Sequence, residues 1–317
     1  MIQFLEDFLQ AMVAGLLTGA NYGLMCVGLS LIFGVMRVIN FAQGDFMMLG
    51  MYAAYYLFTL FGMHLLLGPT FAPYIAALAA GPVIYLLGIV IHKYLISKVT
   101  GVRGSFLEAD GHYAQLILTL GIALIMQNGG LYLFGSSPVT IQTPLSSSAW
   151  EVGPLVGDTL SMFVNQGQAI AACIAIAVVL VFVLVMARSR MGKSLRAAAD
   201  NPEAAIYMGI DVDRAYRIAF GFGVAITAIG GGLLASSYPF QPYVGIDYVI
   251  VMYAGVVLGG MGSVGGAFFG GMVIGLIQQI STLFLPNQLQ NTAIFVIFLL
   301  IILLRPQGLF GKTARRT

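Results

Sequence analysis

Five windows of this 317-residue chain, 46–92, 111–150, 159–187, 218–246 and 248–304, contain no Asp, Glu, Lys or Arg. Each holds one or more membrane spans of about 20 residues. Only 8% of the chain is charged and 59% is hydrophobic, with a mean hydropathy of +0.95, whereas a soluble domain carries about 25% charged residues. No single globular core hides that much apolar surface. The fold class expected is an all-α, polytopic membrane helical bundle, because a membrane β-barrel shows short alternating segments instead.

The apolar segments run over about 8–35, 45–61, 73–91, 113–134, 168–186 and 218–237. Three shorter ones fill 246–304, separated by breaks at 259–263 and 286–287. This gives eight or nine spanning or re-entrant segments with broken, Gly-rich helices in one transmembrane domain, 1–317. The chain holds 40 Gly, and in lipid small residues let helix backbones approach closely. The ladder Gly15, Gly19, Gly23 and the pairs Gly266 with Gly270 and Gly271 with Gly275 read as such packing surfaces. The start, MIQFLEDF, lacks a basic n-region and a small-residue cleavage site, so the first apolar segment is expected to be retained.

Charge sets the sidedness. If the segments alternate, all 14 Lys and Arg fall on one side: Arg37, Lys93, Lys98, Arg103, the six of stretch 188–217, Arg305, Lys312, Arg315 and Arg316. The other side carries Glu6, Asp7, Glu151, Asp158 and Asp247 and no base. By the positive-inside rule, 188–217 and the C-terminus are expected in the cytoplasm. The N-terminus and the Ser-, Thr- and Pro-rich connector 135–165 are expected outside. Cys26 and Cys173 lie in apolar segments and His64, His92 and His112 are isolated, which indicates neither a disulfide nor a metal site.

Stretch 188–217 is the one long charged piece, and three features of it matter. Gly192-Lys193-Ser194 is not a phosphate-binding loop, since the full spacing needs Gly where Ala187 stands and the preceding residues form an apolar helix. Arg196 lies just beyond it. Asp200 with Glu203 three residues on has the form of an acid-headed capping box, with Pro202 in the first turn and Gly209 as the stop. Ala204, Ala205, Ile206, Tyr207 and Met208 form the body of this short helix. A helix so short is marginal in water, so it packs either on its own membrane helices or in a groove of a soluble partner, presenting Ala204, Ile206, Tyr207 and Met208.

Polar residues among the apolar segments are candidates for a solute path. Asn40, Gln43 and Asp45 lie between the first two segments, either at membrane depth, where polar groups are functional by default, or in a solvated turn. In either place Arg37 is near enough in sequence to pair with Asp45. Gln127, Asn128, Gln278 and Gln279 either line a path or hydrogen-bond between helices. The run 257–271, with Gly260 and Ser263, either turns backbone groups inward at a broken helix or packs closely.

The runs Asn40-Phe-Ala-Gln-Gly-Asp45, Leu118 to Asn128, Arg190-Met-Gly-Lys-Ser-Leu-Arg-Ala197, Leu258-Gly-Gly-Met-Gly-Ser-Val-Gly-Gly-Ala267 and Arg305-Pro-Gln-Gly-Leu309 occur in this order. Together they resemble the permease family of ABC importers for branched-chain amino acids, to which urea and short-chain amide permeases are related. The resemblance covers essentially the whole chain and looks like the smaller of two permease types. Two departures stand out: Gln43 and Asp45 occupy positions where His and Glu are also common, and the charged loop 98–110 is longer than usual.

The resemblance implies a translocation subunit in the bacterial inner membrane rather than an enzyme. The implied partners are a second permease, two cytoplasmic ATPases that bind ATP and Mg²⁺, and a periplasmic solute-binding protein, with no nucleic acid and no cofactor on this chain. It identifies the helix after Asp200 as a coupling helix for the ATPases, within a coupling loop 188–217 that includes Arg196. The long charge-free windows agree, since a proton- or sodium-driven carrier is expected to bury ionisable groups at mid-membrane. A stand-alone carrier or channel for a small polar solute is the alternative reading.

Overall fold

The computed structural model describes residues 2–100, 108–153, 161–286, 289–305 and 308. Arg103, Asp158, Lys312, Arg315 and Arg316, five of the residues that set the expected sidedness, lie outside them, as do Asn287, Pro306, Gln307 and Leu309. The elements in order are α1 Ile2–Met36, α2 Gln43–Thr59, α3 Met63–Ile91, a π turn His92–Ile96, α4 Ser97–Thr100, α5 Glu108–Phe134, β1 Ala149–Val152, β2 Met162–Asn165, α6 Gln166–Arg188, α7 Arg190–Asp200, α8 Pro202–Tyr207, α9 Val212–Leu234, α10 Val244–Gly259, α11 Val264–Ser281 and α12 Gln290–Leu304.

Every apolar segment is a helix, which makes this an all-α membrane bundle. Among the described residues, six helices are long and apolar enough to cross a membrane: α1, α3 from Gly68, α5, α6, α9 and α11. The three others, α2, α10 and α12, have 17, 16 and 15 residues, short of a full span. The connector after α5 adds a small antiparallel hairpin, β1 with β2, in which Ala149 pairs with Asn165.

Two three-helix units organise the bundle. In the first, α2 packs on α3, and in the second, α10 packs on α11; each unit's long helix then pairs with the other's third, α1 with α11 and α9 with α3. The long helices α1 and α9 cross antiparallel at the centre. Ile32 lies beside Gly223, Gly28 beside Thr227 and Met25 beside Gly230. The two units therefore enter the bundle from opposite ends.

The glycines make these contacts. Gly15, Gly19 and Gly23 meet Leu276, Met272 and Phe268, and a Cβ on any of them would come within 3.0 Å of an atom of α11. The two glycine pairs of α11 serve different neighbours. Gly266 and Gly270 press on Gly259 and Gly255 of α10, while Gly271 and Gly275 press on Gly23 and Gly19 of α1. Lipid tails are as apolar as leucine, so close backbone packing is what holds such helices together.

Candidate functional site

The chain between α1 and α2 folds into the interior of the bundle. After Met36 it turns at Arg37 and runs without helical structure to Ala42. Asn40 Oδ1 accepts from the Ala42 amide at 3.2 Å, and its Nδ2 donates to Gln43 Oε1 at 2.9 Å. Gln43 Nε2 donates to Thr227 Oγ1 at 2.6 Å and to the Gly223 carbonyl at 3.3 Å. The Thr227 hydroxyl in turn lies 3.1 Å from the Gly223 carbonyl and 3.3 Å from that of Met25. Gly223 and Thr227 are in the middle of α9, and Asn40, Gln43, Asp45 and Thr227 are all buried. This is a polar cluster buried within the bundle, not a solvated turn.

Asp45 lies in the first turn of α2, where the helix dipole favours a carboxylate. Its Oδ1 is buried without a hydrogen-bond partner. The expected Arg37–Asp45 pair does not form. Arg37 is exposed and reaches the Ala199 carbonyl at 3.5 Å, because Asp45 is turned inward with α2.

Opposite this cluster, α10 begins at the same level. A Cβ on Gly44 would lie 2.0 Å from the Gly245 carbonyl oxygen, and one on Gly245 would lie 2.7 Å from the Gly44 carbonyl carbon and 2.9 Å from Asp45 Oδ1. Neither α2 nor α10 has a side-chain cap. Two helix starts thus meet backbone to backbone inside the bundle, next to one carboxylate. Irregular backbone at depth is tolerated only where protein or a cavity surrounds it. Both occur here: Gln43 bonds to α9, and Ile39 and Phe41 of the irregular segment line an apolar cavity of about 400 Å³ with Phe33, Tyr253, Met261 and Phe298. Chemically the cluster is a hydrogen-bonded chain of neutral amides and a hydroxyl.

The other candidate path residues are not gathered into it. Gln278 accepts from the Tyr22 hydroxyl at 2.7 Å, an α11–α1 bond. Asn128 is exposed and donates to its own helix at the Leu124 carbonyl, 2.8 Å away. Gly260 (φ 96°) and Gly262 (φ 83°) turn the chain between α10 and α11, and the Ser263 hydroxyl caps α11 by accepting from the Gly266 amide at 3.1 Å. Gly262 touches Gly34 near the end of α1. Thr227, Gly223 and Gly245 were not singled out from the sequence. Small residues in apolar windows give no signal until their neighbours are known.

The charged stretch forms two helices. The first, α7, folds back on α6: Ser189 Oγ accepts from the Gly192 amide at 2.9 Å, and a Cβ on Gly192 would lie 2.0 Å from the Met186 carbonyl. Leu195 and Ala198 are buried, and Arg196 donates to the Met186 carbonyl. The second, α8, is capped by Asn201, not by Asp200. Asn201 Oδ1 accepts from the Ala204 amide at 2.9 Å, while Asp200 closes α7. Pro202 fixes this frame, since proline favours the first helical position and the cap is the residue before it. Gly209, at φ 79°, ends α8 with the Ile210 amide donating to the Ala205 carbonyl at 2.9 Å, a Schellman pattern. Ala205 faces inward, whereas Glu203, Ala204 and Ile206 are exposed and Tyr207 and Met208 are 88% and 81% exposed.

Residues 11–304 match the family described as the permease component of the branched-chain amino acid transport system. The LivH permease protein of the high-affinity branched-chain amino acid transport system of Escherichia coli K12 is 28% identical over 311 residues, covering 98% of this chain and 97% of its own. The corresponding BraD protein of Pseudomonas aeruginosa is 27% identical, covering 96% of each. A probable LivH protein of Methanocaldococcus jannaschii is 27% identical, covering 91% of this chain and 88% of its own. No solved structure matches.

Proposed function

Since the chain belongs to the family of permease components of branched-chain amino acid transport systems, we propose that it moves hydrophobic amino acids across the membrane as a subunit of an ATP-driven importer. The chain is a multi-pass membrane permease. The observation that carries the reading is the match over 11–304, which takes in both three-helix units and the charged stretch between them.

The finer reading is as follows. Eight or nine segments cross or re-enter the membrane, with the basic side, α7 and α8 in the cytoplasm and the N-terminus and the 135–165 connector outside. A second permease completes the pathway, two ATPases hold ATP and Mg²⁺, and a binding protein delivers solute. The exposed Ala204, Ile206, Tyr207 and Met208 dock in an ATPase groove. Arg196 and Asn201 hold α7 and α8 in place to present them. Asn40, Gln43, Asp45 and Thr227 form a latch whose release opens the path toward the Phe41–Tyr253 cavity. Such a change needs only that the ATPases bind the two bundle states unequally.

Reconstitution in vesicles tests this. With both permeases, the ATPases and the binding protein present, labelled leucine is expected to accumulate only when ATP is supplied. Accumulation by this chain alone, without ATPase, would overturn the reading in favour of a stand-alone carrier.

A further inference from the structure

Beneath α7 a cavity of about 660 Å³ opens between the ends of α1 and α6 and the turn before α11. Its lining on the last turns of α1 and α6 is largely apolar, with Leu31, Val35, Phe182 and Val183, and Arg37, Arg196 and Asp200 add charge to the same cavity. The two arginines come from segments far apart in sequence.

Arg37 is there at a conformational cost. It is the one non-glycine residue with positive φ among the described residues, 54°, in a position after a helix that Gly or Asn usually takes. An observed backbone outlier of this kind is a reason to ask what the side chain does. Each guanidinium makes one hydrogen bond to a helix-end carbonyl, Arg37 to Ala199 and Arg196 to Met186, and neither is ion-paired among the described residues. Arg has five N–H donors, so most of each fork stays available.

We propose that this cavity binds an anionic phospholipid, with the phosphate between Arg37 and Arg196 and the acyl chains along the apolar walls of α1 and α6. Arginine forks match phosphate oxygens bidentately, and basic pockets between membrane helices hold anionic headgroups. Asp200 in the same cavity accepts from a headgroup hydroxyl, which makes phosphatidylglycerol the suitable probe. Because the charged groups share the cavity with a largely apolar lining, the ligand is a lipid rather than a free anion. The proposal does not depend on which solute is carried.

The test uses the full chain in neutral detergent, with bound lipid followed by native mass spectrometry during titration. Phosphatidylglycerol is expected to bind tighter than phosphatidylcholine, and the double variant Arg37→Gln, Arg196→Gln to weaken it about tenfold or more while phosphatidylcholine is unaffected. Lys193→Gln, exposed on α7 outside the cavity, should change nothing. If the double variant does not fold, Arg37→Gly keeps the turn and should still weaken binding several-fold. Equal phosphatidylglycerol binding by wild type and variants, no preference over phosphatidylcholine, or displacement of the lipid by inorganic phosphate at similar concentration would each overturn the proposal.

Discussion

The start of α2 and the tip of α8 reverse the ordinary placement of side chains. At the first, Asn40, Gln43, Asp45 and Thr227 are buried in an apolar bundle; at the second, Ile206, Tyr207 and Met208 stand in the open within a charged stretch. The contrast separates two roles. In lipid, burying apolar surface does not tell one helix from another, so directional hydrogen bonds and glycine contacts fix where α2 sits. In water, exposed aromatic and thioether side chains are surface without a partner, which is how an anchor for another protein looks. The first region is expected to govern stability, the second coupling.

Substitutions sharpen that contrast, in order of their expected effect on stability. Gly44→Leu should be the most damaging, because its first side-chain atom would fall 2.0 Å from a backbone oxygen that cannot move aside. The expected outcome is no monodisperse protein in detergent chromatography, and a well-folded variant would show that α2 and α10 do not meet. Gln43→Ala strands the Asn40 amide in a buried site. It should cost about 1–3 kcal/mol, seen as a lower melting temperature, and should also reduce uptake. Asn201→Ala removes the α8 cap and should cost about 1 kcal/mol, local to that helix, read as faster amide exchange over 204–208 with the bundle's protection unchanged. Tyr207→Asp is expected to leave stability within about 0.5 kcal/mol yet lower vesicle uptake at least tenfold. Full uptake by that variant would remove the docking role and leave α8 as a plain connector.

Much of this was legible in the sequence, and the reasons for the gaps are physical. The charge-free windows located the long helices after α1, the apolar segment 8–35 located α1 itself, and the four-residue spacing of Gly15, Gly19 and Gly23 marked the α1 face that α11 covers. Breaks at 259–263 and 286–287 separated α10, α11 and α12. The sequence could not say whether 40–45 lay at depth, because the deciding partner, Thr227, is 184 positions away and carries no mark of its own. Helix α7 was hidden for another reason: only Gly192, Leu195 and Ala198 face inward, too small an apolar stripe to stand out from its charges. The spacing of Asp200 and Glu203 points to a cap one residue before the true one, Asn201, whose frame Pro202 marks. The hairpin of Trp150 and Phe163 went unseen because each strand has only four residues.

The hydrogen bond from Gln43 to Thr227 also constrains how the protein is made. Synthesis proceeds from the N-terminus, and α1 can insert as soon as it emerges. Gln43 meets its partner only after α9 has been translated, and Gly44 meets Gly245 later still. For most of translation the first unit therefore waits, with a short helix and an unsatisfied amide that lipid cannot serve. The bundle's centre is finished last, and a chain truncated before α9 is expected to be an unassembled substrate for membrane proteases rather than half a permease.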